Sequence, residues 1–203
     1  EGFQKPEYQS AVSFGIIGGA STPVLIYSSQ STASEVATHM AISSLYFEPA
    51  KQIEWLTKDM QESDADWKFV ALHKAPYSHG SHYKDDDVCN IREQLQNLMP
   101  ALGIDMVFQG HDHVYMRTGS LLNNEKTAYD KVYLNYDGNV YRTQENPEGT
   151  SYIISGTCGV KTYLQNDPSV TDEYFPRGEA ILAVDAPMFS AVRIEDGILY
   201  FDA

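Results

Sequence analysis

The sequence is poor in cysteine, and it contains no long uninterrupted run of apolar residues. Its two cysteines, Cys89 and Cys158, cannot build a disulfide framework, and the sequence leaves open whether they pair or stay as free thiols. No apolar segment reaches the roughly 20 residues of a membrane-spanning helix, so we predict no membrane span. No basic start is followed by an apolar core, so these residues hold no signal peptide.

Basic residues are also scarce relative to acidic ones. The chain has 14 Lys and Arg against 28 Asp and Glu, a formal net charge of -14. Without a Lys/Arg-rich face, nucleic acid is not expected as a general partner. The hydrophobic fraction of 42% suits an ordinary core, and 203 residues suit one domain. We therefore predict a single domain over residues 1–203.

Two apolar runs in the middle of the chain each end in histidine. The run 67–72 is followed by His73, and the run 105–109 is followed by Gly110, His111, Asp112 and His113. Between the runs, apolar residues recur at helical spacing: Val88, Ile91, Leu95, Leu98 and Leu102. This pattern predicts a strand–helix–strand unit with parallel strands.

Parallel strands bring these histidines to one place. Their carboxyl ends meet at the edge of a sheet where ligands of α/β proteins bind. We therefore expect His73, His111 and His113 to converge there. Neutral imidazole nitrogens are ligands for divalent metals, so the convergence predicts a metal site.

The residues around these histidines resemble a known family. Residues 70–77, Val-Ala-Leu-His-Lys-Ala-Pro-Tyr, together with residues 110–117, Gly-His-Asp-His-Val-Tyr-Met-Arg, are similar to the calcineurin-like metallophosphoesterases. Tyr115 and Arg117 are most similar to the purple acid phosphatase branch. The resemblance implies an α/β fold, a β-sandwich flanked by helices that contains the parallel βαβ unit.

The resemblance also implies the chemistry of the site. His73, His111 and His113 match the three histidine ligands of a two-metal centre, which holds iron with zinc or manganese, or two zincs. In that centre a metal-bound hydroxide attacks a phosphate ester. Tyr115 and Arg117 are expected to pack beside the ligand histidines and hold them in place.

Three ligand blocks of the family are missing from this sequence. The chain has no Gly-Asp and no Asn-His dipeptide, which in the family belong to blocks that carry the bridging aspartate, a tyrosine and an asparagine. We therefore expect the chain to be the C-terminal part of a longer phosphoesterase fold. The missing N-terminal half is then a candidate partner, beside the phosphate-ester substrate.

The loop after His73 holds two further histidines. The resemblance places His82 where a family histidine faces the phosphate group, and an imidazole there could donate a hydrogen bond or protonate the leaving group. A solvated loop position is the alternative for His82, and it is the one we favour for His79. Asp112 is not expected to be a ligand.

The remaining segments give weaker signals. Residues 118–150 are predicted to form an inserted hairpin region with a turn at 135–138, whose tyrosines either cover the core or shape substrate choice. We predict a helix over 48–62 and a strand over 151–155. Three short strands over 180–184, 189–194 and 198–201 are predicted to close one sheet, and His39 is expected to be structural.

Two functions remain open at this point. The first is hydrolysis of phosphoric esters, with export to the extracellular space or periplasm suggested by the purple acid phosphatase branch. The second is a non-catalytic phosphoesterase-like module that binds a partner through its acidic, tyrosine-rich surface.

Overall fold

The structure, a computed structural model, describes residues 12–17, 26–28, 49–128, 132–162, 178–182 and 186–203. Within these ranges the helices are α1 (Pro49–Glu62) and α2 (Asp86–Ala101). The strands are β1 (Val12–Ile17), β2 (Ile26–Ser28), β3 (Trp67–Leu72), β4 (Met106–Gln109), β5 (Tyr115–Thr118), β6 (Leu121–Leu122), β7 (Glu125–Lys126), β8 (Val132–Tyr136), β9 (Asn139–Thr143), β10 (Ser151–Ser155), β11 (Gly178–Leu182), β12 (Ala191–Glu195) and β13 (Ile198–Asp202).

A seven-stranded mixed sheet forms the centre, with the order β11-β5-β10-β4-β3-β1-β2. Its four middle strands β10, β4, β3 and β1 run parallel, while β2 and β5 run antiparallel to their neighbours. The predicted unit is confirmed: β3 and β4 are parallel neighbours, and α2 connects them. The α/β class is confirmed as well.

Alternate residues of the middle strands face two different layers, as the period of a strand requires. Val70 of β3 and Val107 of β4 pack with the inner faces of α1 and α2. Phe69 and Met106, one position earlier, pack on the other side against the hairpin β12–β13. The described residues thus form a large sheet with helices on one face and a second, small sheet on the other.

The last three strands, β11, β12 and β13, pair differently from the prediction. The three strands do not close one sheet, because β11 pairs with β5 in the large sheet while β12 and β13 pair with each other. Periodicity marks a strand without saying which edge it joins. The predicted strand over 189–194 also begins later, at Ala191, and Phe189 before it is 84% exposed. His39 lies outside the described residues.

Residues 118–150 contain two hairpins, β6–β7 and β8–β9. The second turns at Asp137 and Gly138, which both have positive φ angles, as two-residue hairpin turns require. Tyr136 stacks on Tyr200 of β13 at 4.7 Å between ring centroids, and the Arg193 guanidinium lies over both rings. These contacts pack the hairpin onto the small sheet.

No described helix is both long and apolar enough to cross a membrane.

Candidate metal centre

The ends of β3 and β4 lie side by side at the carboxyl edge of the large sheet. Leu72 pairs with Gln109, so the next residues, His73 and Gly110, are level with each other. The Gly110 amide donates a hydrogen bond to the His73 carbonyl at 3.1 Å. A Cβ atom at Gly110 would lie 3.3 Å from that oxygen, so the close approach favours glycine.

His111 turns back across this edge toward His73. Its φ of 68° is in the left-handed region, which a residue with a Cβ atom adopts at a cost of about 1 kcal/mol. Strain of this kind is concentrated at functional sites. The turn brings His111 Nδ1 to 3.2 Å from His73 Nε2, with ring centroids 5.1 Å apart. The predicted approach of these two histidines is therefore present in the structure.

This pair of nitrogens fits a bound metal ion. Two nitrogens that each lie 2.0–2.1 Å from a tetrahedral zinc are about 3.4 Å apart, close to the spacing of this pair. Burial, followed by the nearby charge of Lys74, lowers the pKa of His111. A lowered pKa keeps the imidazole neutral, which is the form that binds metal.

His113 is not brought into the same group. Its Nδ1 lies 2.6 Å from the Lys161 carbonyl, which makes Nδ1 the proton-bearing nitrogen and leaves the ring lone pair on Nε2. Among the described residues, the group of three possible ligands whose atoms lie within 4.8 Å of one another is His82, Asp85 and His111. The assignment of His113 as a ligand stays a prediction.

His82 lies beside His111, with 4.5 Å between the ring centroids. Its Nδ1 is 2.9 Å from the Asp85 carboxylate, at the residue that precedes α2. The carboxylate fixes the ring and places a proton on Nδ1. The sequence alone does not mark Asp85 as a site residue, because a carboxylate before a helix is explained equally well by the helix dipole.

Asp112 anchors the loop that carries His82. Its side chain is 1% exposed, and its carboxylate accepts hydrogen bonds from the Ser78 hydroxyl at 2.5 Å and from the His82 amide at 3.4 Å. The Ser78 oxygen in turn accepts from the Gly80 amide at 2.7 Å. Asp112 is therefore turned into the protein, and its exclusion as a ligand stays a prediction.

Two further side chains hold the same loop from neighbouring elements. Gln109 at the end of β4 accepts from the Tyr77 amide and donates to the Tyr77 carbonyl, both at 3.0 Å. Arg92 of α2 donates to the carbonyls of Pro76 at 2.7 Å and Tyr83 at 2.6 Å. The sheet and the helix together fix the loop from 76 to 83.

The predicted solvated position of His79 is wrong. His79 is 1% exposed, and its Nε2 donates to the Tyr115 carbonyl at 3.1 Å. The residue closes the loop against β5, where its buried ring is held by a backbone acceptor.

Tyr115 thus contacts His79, and Arg117 lies in β5 paired with Ile153 and Ala180. Their support of the ligand histidines stays a prediction.

Lys74 is a site residue that sequence reasoning missed. Its Nζ lies 3.2 Å from His111 Nε2 and 3.0 Å from the Asp87 carboxylate. This contact lowers the pKa of Asp87, chiefly through the hydrogen bond from Lys74.

The two cysteines are both free thiols, which settles the question of their pairing.

Two curated proteins match part of this chain. The chain is 32% identical over 93 residues to purple acid phosphatase 15 of Arabidopsis thaliana, covering 44% of the chain and 17% of the relative. It is 26% identical over 147 residues to purple acid phosphatase 18 of the same plant, covering 60% of the chain and 33% of the relative. The chain thus spans a third or less of the length of either relative.

Two further comparisons are with a solved structure and with a family profile. The solved purple acid phosphatase from yellow lupin seeds aligns with a TM-score of 0.37 and 21% identity over 53% of this chain and 18% of that one. The profile of the family described as calcineurin-like phosphoesterase matches residues 10–115, which include His73, His82, His111 and His113. Since that match covers more than half of the sequence, the chain belongs to the calcineurin-like phosphoesterase family.

Proposed function

We propose that the protein to which this chain belongs hydrolyses phosphoric esters with the help of bound metal ions. The observation that carries the proposal is the meeting of His73 and His111 at the carboxyl edge of the sheet, with 3.2 Å between their nitrogens. Family membership supports the same reaction class. A pair of ions, iron with zinc or manganese or two zincs, would neutralise phosphate charge and activate water when bound.

The side chains of this chain have separate parts in that reaction. His73 and His111 would hold an ion, with His113 as a further ligand. His82, fixed by Asp85 and close to His111, would donate a hydrogen bond to a phosphoryl oxygen or a proton to the leaving group. The net charge of -14 opposes an anionic substrate, but screening over about 8 Å at physiological ionic strength limits that effect.

The ligand set of this chain is incomplete by comparison with a two-metal centre. The sequence has no Gly-Asp or Asn-His dipeptide, so the aspartate and asparagine ligands of the family pattern are missing. We infer that the 203 residues alone bind one ion weakly and turn over slowly, and that an N-terminal half would complete the site. Export to the extracellular space or periplasm belongs to the same proposal.

Hydrolysis of an aryl phosphate by the 203-residue chain tests this function. We expect slow, chelator-sensitive turnover with added zinc, and loss of that turnover in His111→Asn. His79→Gln is the matched control, since it also removes one histidine but can keep the hydrogen bond to the Tyr115 carbonyl. Turnover that survives His111→Asn or a chelator would contradict the proposal.

The second candidate is a binding module without turnover. The outward face of the β8–β9 hairpin carries Tyr133 and Val140, which are 63% and 67% exposed. Large apolar side chains exposed on one shared face can contribute to an interaction surface. Zinc binding through His111 with no detectable hydrolysis, in the chain and in any longer form that contains it, favours this alternative.

A further inference from the structure

The side chain of Lys74 lies directly in the candidate metal centre. It follows His73 at the end of β3 and is 20% exposed. Its ammonium is held between two partners, with His111 Nε2 at 3.2 Å and an Asp87 carboxylate oxygen at 3.0 Å. Asp87 belongs to the first turn of α2, so the ammonium is fixed by a separate element of the fold.

The chemistry of an ammonium determines where the protons lie. Lysine can only donate hydrogen bonds, so His111 Nε2 must accept, and the neutral His111 ring then carries its proton on Nδ1. That Nδ1 faces His73 Nε2 at 3.2 Å, so His73 accepts in turn. One cation therefore engages the lone pair of His111 directly and that of His73 through the His111 ring.

We propose that Lys74 competes with a metal ion for His73 and His111 and thereby sets the metal affinity of this site. The inference rests on the proposed function, since it takes these histidines as ligands. An ion bound at His111 Nε2 would need the position of the ammonium. An ion bound at Nδ1 would move the ring proton to Nε2, where it would face the ammonium. In both cases Lys74 must leave His111, and Asp87 is the partner it retains.

The expected size of the effect follows from the interaction that is lost. A hydrogen bond that involves a charged group contributes about 1.5–3 kcal/mol net, which corresponds to roughly 10- to 100-fold in affinity. Lys74→Met keeps the length of the side chain and removes the charge, so it should bind zinc about 10- to 100-fold more tightly. Lys74→Arg keeps a donor-only cation, so its affinity should stay close to that of the wild type.

Zinc titration of the 203-residue chain, followed by calorimetry in competition with a weak chelator, is the test. Lys58→Met is the control for the general effect of removing one positive charge, because Lys58 lies on α1, is 72% exposed and pairs with Glu62 at 3.9 Å. Thermal unfolding without metal verifies that each variant is folded. Long-range proton–nitrogen NMR should show the His111 proton on Nδ1 in the metal-free wild type.

Each result separates the two proposals. Equal zinc affinity in Lys74→Met and Lys58→Met would overturn the competition by Lys74 and leave the His73–His111 metal site intact. A His111 proton found on Nε2 in the metal-free wild type would overturn it as well. Failure of the folded Lys74→Met variant to bind zinc at all would refute both this inference and the metal-dependent function.

Discussion

The contact between Gly80 and Asp112 gives the sharpest prediction about the loop that carries His82. A Cβ atom on Gly80 would lie 2.0 Å from Asp112 Cγ and 2.2 Å from its Oδ2. Real Cβ atoms do not approach other atoms so closely, and the Asp112 side chain is buried with little room to move. Gly80→Ala should therefore displace the carboxylate from Ser78 and His82.

The magnitudes follow from the two interactions concerned. Overpacking a tight site costs about 1–3 kcal/mol, and a hydrogen bond to a buried carboxylate contributes about 1.5–3 kcal/mol. Each single variant, Gly80→Ala and Asp112→Ala, should therefore lose roughly 2–4 kcal/mol of unfolding free energy. In the double variant the clashing carboxylate is gone, so introducing Gly80→Ala into the Asp112→Ala protein should cost less than about 0.5 kcal/mol.

Urea unfolding of the four proteins in this double-mutant cycle measures the coupling. We expect the double variant to be about as stable as Asp112→Ala alone, which is a coupling of roughly 2 kcal/mol or more. Gly119→Ala is a useful comparison, because its Cβ atom would meet the flexible Lys126 side chain at 2.9 Å and should cost less. Additive losses from Gly80→Ala and Asp112→Ala would refute the contact.

Two further predictions concern the same loop. Burial is the main cause that lowers the pKa of His79, so the folded protein favours the neutral ring. The resulting contribution to the free energy of unfolding is present above pH 6.5 and is lost as the pH falls through the folded-state pKa. Thermal and urea unfolding between pH 5 and pH 8 should show a slope of at most about 1.4 kcal/mol per pH unit from this residue, and an unchanged slope in His79→Gln would contradict the assignment. Gln109→Leu removes both hydrogen bonds to Tyr77 and should cost roughly 2–4 kcal/mol of unfolding free energy. Gln94→Leu on the exposed face of α2 is the control and should cost almost nothing. Equal losses in the two variants would show that the Tyr77 contacts contribute little.

The part of the site that could be predicted depends on strand periodicity and parallel pairing. The apolar runs before His73 and His111 identified β3 and β4, and the helical spacing between them identified α2. Parallel neighbours end at one edge, and so the approach of these two histidines followed from the sequence. Assignment of β11 to the large sheet did not follow, because periodicity does not specify a partner strand.

The residues that surround the two histidines were less predictable. Lys74, Asp85 and Asp112 are ordinary charged residues of loops and helix ends, and their roles come from side-chain directions that short-range patterns do not contain. His79 was expected in solvent because it lies in a loop. Its burial results from the fold of the whole loop against β5.

The central claim is that His73 and His111 form the core of a metal site. The most direct measurement is a crystal structure of the 203-residue chain soaked in zinc, with anomalous scattering recorded at the zinc edge. The claim predicts an anomalous peak within bonding distance, about 2.0–2.1 Å, of a ring nitrogen of both histidines. Zinc bound elsewhere, or a zinc-saturated crystal without a peak at this pair, would contradict it.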